Sequence, residues 1–236
     1  MFPISDLNFD NFVLTAGNEH AYRACKAFAE YDVATPNIIL IWGFVAVGKT
    51  HLLHAIANHA AKQNPSALIA YMSILTFMNE LFTAIAVGDI EGFRERRSAS
   101  RLLLVDDIHF LEGKPRTQEE INHIFNRIID SGGRLALTST EPANKIHWHP
   151  KGLKSIIRRA MVLQLDRPTE RALYLIISKK FAAIRPSLSP NILKLVCQKA
   201  KSDTRIAEGI VRRMITLRSQ NGSYPGAREV LSWFAN

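Results

Sequence analysis

Cysteine is scarce in this chain: two residues, Cys25 and Cys197, lie far apart and show no metal-ligand spacing. That excludes a disulfide framework and a thiolate zinc site as expectations and fits a reducing, cytoplasmic setting. Long apolar runs are missing as well. None approaches the roughly 20 residues that a membrane-spanning helix needs, so no membrane partner is expected. The opening "MFPISDLNFD" has no basic stretch and carries two acids, unlike a secretory signal. Internal repeats and low-complexity tracts are also lacking. What is present is globular: 236 residues, 47% of them hydrophobic, enough for one large domain or two smaller ones.

Positive charge is in excess, but only in one part. Residues 1–150 carry 13 Lys and Arg against 16 Asp and Glu, while residues 151–236 carry 17 against 5, a net of +12. Such asymmetry points to an acidic partner for the last third, with nucleic acid first, or to a solvated face that aids solubility.

Apolar runs at 37–42, 67–72, 101–107, 134–140 and 160–165 read as strands, the first continuous enough to be buried on both faces. Helical patterns alternate with them at 19–31, 50–62, 74–87, 89–97 and 117–131, with Gly88 separating the third from the fourth and Gly132-Gly133 ending the last. Strands alternating with helices predict a parallel sheet covered on both sides. After Pro168 the pattern turns all-helical, at 169–184, 189–201, 203–219 and 225–234, with a break at Pro186 among others. The expected division is an α/β domain over 1–166 and a small basic helical domain over 167–236.

Residues 43–50 read G-F-V-A-V-G-K-T, which fits the phosphate-binding pattern G-x-x-x-x-G-K-[ST]. Gly43 and Gly48 let the backbone turn its N–H groups inward towards oxyanions. Lys49 supplies a charge near the terminal phosphates, the Thr50 hydroxyl can ligate Mg2+, and the following helix adds its N-terminal dipole. Asp106 and Asp107 end the third strand, where a carboxylate lies beside such a loop. Asp106 is expected to hold Mg2+ through water with Thr50, and Asp107 to polarise the attacking water. An acid pair after a strand also serves as a helix cap, which is the competing reading. Thr138, Ser139 and Thr140 end the fourth strand at the same edge and offer hydroxyls for a terminal phosphate or a water; Ser139 is taken as the contact.

"GKTHLLHAIAN", "LLLVDDIHFLEGKPRTQEEINHIFNRI" and "LALTS" resemble the AAA+ module of the DnaA family of replication initiators. The resemblance extends over nearly the whole chain. It implies an AAA+ P-loop NTPase with a parallel sheet and a helical lid, ATP or ADP with Mg2+ as ligand, and work in replication initiation or its control. The stretch "FDNFVLTAGNEHA" (9–21) is similar to the lead-in that helps hold adenine. The resemblance thereby implies nucleotide contacts at Phe12 and Val13, with Val47 and His51 beside the loop. "SDTRIAEGIVRRM" (202–214) resembles the lid helix whose sensor-2 arginine falls on Arg205. The helical pair 74–97 resembles the family's insertion, which lines up subunits and contacts single-stranded DNA; Arg94, Arg96 and Arg97 stand where basic residues would face phosphates.

Three departures shape the expected function. The chain ends soon after the lid, with no duplex-reading module, as in the short DnaA-related regulator Hda; the partners that follow are the initiator DnaA, a sliding clamp and a homo-oligomer. "ISDLNF" (4–9) has the Leu and Phe of a clamp-binding peptide but not its glutamine. The arginine-finger position in "LKSIIRR" is Ile156, which leaves Arg158 or Arg159 as substitutes or as plain basic surface. Two alternatives stand beside the Hda-like reading. One is a helicase loader of the DnaC type. The other is a nucleotide-gated adaptor with negligible ATPase in place of a weak Mg2+-dependent one.

Overall fold

The computed structural model describes residues 4–150, 152–182, 184 and 187–234. The expected break at Pro186 lies outside the described residues. The chain divides into two compact units, Met1–Leu165 and Asp166–Asn236.

The first unit is built on five parallel strands: β1 (Ile38–Gly43), β2 (Ile69–Ser73), β3 (Leu102–Asp106), β4 (Arg134–Ser139) and β5 (Met161–Leu165), in spatial order β2-β3-β4-β1-β5. The strands read as continuous apolar runs because both faces are covered. Alternate residues enter different cores: Ile38, Leu40, Leu103 and Val105 join one, with Phe77 and Phe125, and Ile39, Ile41, Leu102 and Leu104 join the other, with Phe28 and Leu52. The helices are α1 (Glu19–Ala29), α2 (Lys49–Gln63), α3 (Ile74–Ala86), α4 (Ile90–Ser98), α5 (Pro115–Asp130) and α6 (Lys154–Arg159).

Local chemistry sets the helix ends. The Ser73 hydroxyl accepts from the Thr76 N–H at 3.1 Å to cap α3, and Pro115 opens α5, where a missing N–H costs nothing. Gly132, at φ 77°, lets the chain leave α5 in the left-handed region. One short 3-10 turn, Ile108–Leu111, follows β3 where the sequence pattern predicts no element. Its Ile108 and Leu111 are wholly buried, so tertiary packing creates it.

The second unit is helical throughout its described residues: α7 (Glu170–Lys180), α8 (Pro190–Lys199), α9 (Thr204–Asn221) and α10 (Ala227–Ser232) surround a core of Leu173, Ile177, Val196, Val211, Met214 and Val230. The Asp203 carboxylate caps α9 by accepting from the Arg205 and Ile206 N–H groups at 2.8 and 3.2 Å. Among the described residues no helix is long and apolar enough to cross a membrane.

Candidate phosphate-loop site

β1 ends at Gly43, where a Cβ would lie 2.4 Å from the Leu165 carbonyl oxygen. The first glycine of the motif is therefore demanded by the neighbouring strand before any ligand is considered. The loop then turns through Ala46 at φ 64° and Gly48 at φ 105° into α2. Left-handed backbone suits Gly48; at Ala46 it costs about 1 kcal/mol. Lys49 is buried, and its Nζ donates to the Gly43 and Phe44 carbonyls at 2.8 Å each. Thr50, on the first turn of α2, is exposed.

Strand alternation brings the acids to this mouth. Leu104 faces the α2 side of the sheet, so Asp106 does too, as does Thr138, which continues the register that pairs Leu104 with Ala136. The nearly buried Asp106 accepts from the Thr50 hydroxyl at 2.7 Å and from the Tyr71 hydroxyl at 3.3 Å through Oδ2, and from the Thr138 hydroxyl through Oδ1. Thr138 Oγ1 also accepts the Asp107 N–H at 2.8 Å. Asp107 adopts φ 63°, ψ 46°, makes no side-chain cap to the 3-10 turn, and keeps its carboxylate 41% exposed. The capping alternative thus finds no hydrogen bond here.

Ser139 departs from expectation. Its odd position points it to the other side of the sheet, where it is fully buried; its hydroxyl donates to the Glu141 carbonyl at 2.6 Å and accepts the Glu141 N–H at 3.0 Å. The hydroxyl that organises the acids is that of Thr138. Tyr71 and His54, neither of them singled out by the sequence reading, complete the site. Burial first, then the Asp106 charge, raises the Tyr71 pKa, which keeps it a donor. Burial lowers the His54 pKa, against the pull of Asp106, and its Nδ1 accepts the Ile4 N–H at 3.1 Å. The rings of His54 and Tyr71 lie 4.1 Å apart. Burial likewise lowers the His109 pKa, Asp107 opposing it, and its Nδ1 accepts the Thr140 N–H at 3.4 Å.

The lead-in segment is fastened to α2. Asn58 donates to the Ile4 and Leu7 carbonyls at 2.9 Å each, and His51 Nε2 lies 2.9 Å from the Asn8 carbonyl. Phe12 is buried, stacks with Tyr22 at 5.8 Å, meets His51 edge-on at 5.2 Å, and sits against Gly48. Val13 is half-buried and its carbonyl accepts from Asn18 at 3.0 Å; Val47 packs at the edge of the same core. The same packing places Phe9, the aromatic of the peptide similar to a clamp ligand, in the interior, 6% exposed against Tyr22 and His59. A clamp would have to withdraw it.

The remaining expected residues lie elsewhere. Arg205 is exposed on the first turn of α9, in the second unit. Ile156 is wholly buried in the core beneath α6, and Arg158 and Arg159 are exposed. Each arginine of the insertion has a carboxylate: Arg94 pairs with Glu120 at 2.5 Å and Glu91 at 3.2 Å, Arg96 with Asp89 at 3.0 Å, and Arg97 with Glu80. Arg94 and Arg97 are only 25% exposed, so the expected free basic face of α4 is replaced by an ion-pair network.

Residues 5–164 match the family model described as the bacterial DnaA ATPase domain. The chromosomal replication initiator protein DnaA of Deinococcus deserti is 34% identical over 224 residues, which are 95% of this chain and 49% of that protein. The chain spans about half the length of the curated relatives it matches. Among solved structures, domain III of the Thermotoga maritima replication initiation protein DnaA superposes with a TM-score of 0.91 at 28% identity, over 98% of this chain and 96% of that one. A replication initiator DnaA bound to AMPPCP and single-stranded DNA gives 0.80 at 28% identity, over 94% and 67%.

Proposed function

Because the chain belongs to the family of bacterial DnaA ATPase domains, we propose that it binds ATP or ADP with Mg2+ at the loop 43–50 and acts in replication initiation or its control, as an Hda-like regulator in the cytoplasm. The observation that carries this reading is the 2.7 Å bond between the Thr50 hydroxyl and Asp106 at the mouth of the loop. Two hard oxygen donors meet there beside a lysine, a donor set that suits Mg2+. The metal, when bound, draws charge from the phosphate oxygens.

The chain's own residues do the rest. The Lys49 ammonium exchanges the Gly43 and Phe44 carbonyls for phosphate oxygens. Thr138 holds Asp106 and Asp107 in register. Asp107, with its exposed carboxylate, orients a water. Phe12 and Val13 flank the base, Val47 and His51 lie beside the loop, and the family resemblance gives Arg205 the sensor-2 role. A chain that binds nucleotide with negligible turnover is the second reading, favoured by the wholly buried Ile156 at the finger position. Hydrolysis measured with and without the cellular initiator separates the two, and a pull-down scored for initiator, clamp and replicative helicase identifies the partner.

Isothermal titration of ATP and ADP with Mg2+ tests the site. Lys49→Ala should bind about ten- to a hundredfold more weakly, the equivalent of roughly 1.5–3 kcal/mol for a charge-assisted contact. Equal affinities in variant and parent would remove the assignment.

A further inference from the structure

We propose that the exposed face of α9 binds the phosphate backbone of duplex DNA without regard to sequence. Arg205, to which the nucleotide reading gives a role, lies on the same helix, but the proposal rests on Gly209, Arg212 and Arg213 and does not depend on that reading.

Charge is the first argument. Residues 166–236 carry 13 Lys and Arg against 5 Asp and Glu, a net of +8 in 71 residues. On α9 the buried side is Thr204, Ala207, Val211 and Met214, and the opposite side exposes Arg212 and Arg213. Among the described residues neither arginine has a carboxylate within ion-pair distance, and the acid at the edge of this face, Glu208, is held by Lys180 at 2.5 Å.

Geometry is the second. The Arg213 guanidinium lies 4.2 Å from the centre of the Trp233 ring, and that of Arg212 lies 5.8 Å from Phe181. A guanidinium laid on a ring keeps its N–H edge for an anion and has less freedom to lose when one arrives.

Gly209 supplies the third. It stands one turn before Arg212 and Arg213 on the same face, in the helix interior, where glycine costs about 1 kcal/mol relative to alanine. A Cβ there would meet nothing within 4 Å, and its backbone needs no left-handed turn. Among the described residues of this unit nothing calls for a glycine there; close approach by an external backbone would.

A duplex is the better fit than a single strand. Sequence-tolerant binding of single strands uses aromatic faces for stacking, and here Phe181 and Trp233 are packed on the helical core beneath the arginines. A duplex offers one charge per roughly 1.7 Å of axis to a surface that has charge and little else.

Fluorescence anisotropy of the full chain with a labelled random duplex of roughly 20 base pairs, between about 50 and 200 mM salt, tests this. Each lost phosphate contact should lower the log–log salt slope by about 0.9, so Arg212→Ala/Arg213→Ala should reduce it by about 1.8, making the affinity change over that range about twelvefold smaller. Arg23→Ala, whose guanidinium pairs with Glu19 at 2.6 Å, should leave the slope unchanged. Because Arg213 packs on Trp233, Gly209→Leu is the second variant: its side chain meets open space, so the thermal midpoint should hold while duplex affinity falls severalfold. The proposal is overturned by an unchanged slope in the double variant together with unchanged affinity in Gly209→Leu. It is equally overturned by tighter binding to a single strand of the same length, or to phosphatidylglycerol vesicles, than to the duplex.

Discussion

Two helices of this molecule are rich in arginine and make opposite use of it. On α4, Arg94, Arg96 and Arg97 each meet a carboxylate, and the insertion over residues 74–98 has a net charge of −1. On α9, Arg212 and Arg213 lie on aromatic rings and face solvent in a unit of net +8. A run of arginines therefore does not by itself make a basic surface. What matters is whether the fold has placed acids within reach, and Glu120, contributed by α5, reaches Arg94 across 26 positions of sequence.

The sharpest way to press this comparison is to put an arginine into an apolar core. Ile156 is such a place, wholly buried in an apolar cluster. Ile156→Arg should lower stability by roughly 3–5 kcal/mol in urea unfolding, as a buried unpaired charge does, whereas Ile156→Leu should cost less than about 1.5 kcal/mol. An arginine variant as stable as the parent would mean that α6 can open and present this position to a neighbour.

Within the phosphate-loop site, charge position rather than number is the issue. Asp107→Asn should leave nucleotide affinity within about twofold and slow hydrolysis about 10²–10⁴-fold, since a positioned base contributes on that order. Turnover at the parent rate, measured by phosphate release, would reduce Asp107 to a turn residue. A smaller effect separates the arginines of α4 from one another. Arg94→Ala should cost about 2 kcal/mol, because it strands the partly buried Glu120, and Arg96→Ala should cost less than about 0.5 kcal/mol, its pair with Asp89 being exposed. Equal costs in chemical denaturation would show that burial does not distinguish them.

The loop and the strand-end acids were legible as candidates before any coordinates. Gly43, Gly48, Lys49 and Thr50 were singled out by spacing between a strand and a helix, and Asp106 and Asp107 by their place at a strand end. The choice between Thr138 and Ser139 was not. In a strand buried on both faces the apolar pattern carries no sign of which side is which, so two adjacent hydroxyls look alike. Tyr71 and His54 escaped notice for a related reason: an aromatic residue in a core strand and a histidine in an apolar helix face read as packing. The buried finger position, the internal Phe9 and the paired arginines of α4 were equally invisible, since each depends on a contact distant in sequence.

The sequence by itself determined the alternation of strands and helices, the change to a helical pattern after the fifth strand, the glycine-lysine-threonine pattern between a strand and a helix with an acid pair at a strand end, and the excess of positive charge in the last third. These follow from local periodicity, turn chemistry and composition, which act over a few residues at a time. Only the tertiary structure decided which hydroxyl touches Asp106, which side chain stands at the finger position without access to solvent, and which arginines remain unneutralised. Those outcomes are set by strand register and by helices packing from far along the chain, where one residue of parity or one acid on a neighbouring helix reverses the role of a side chain.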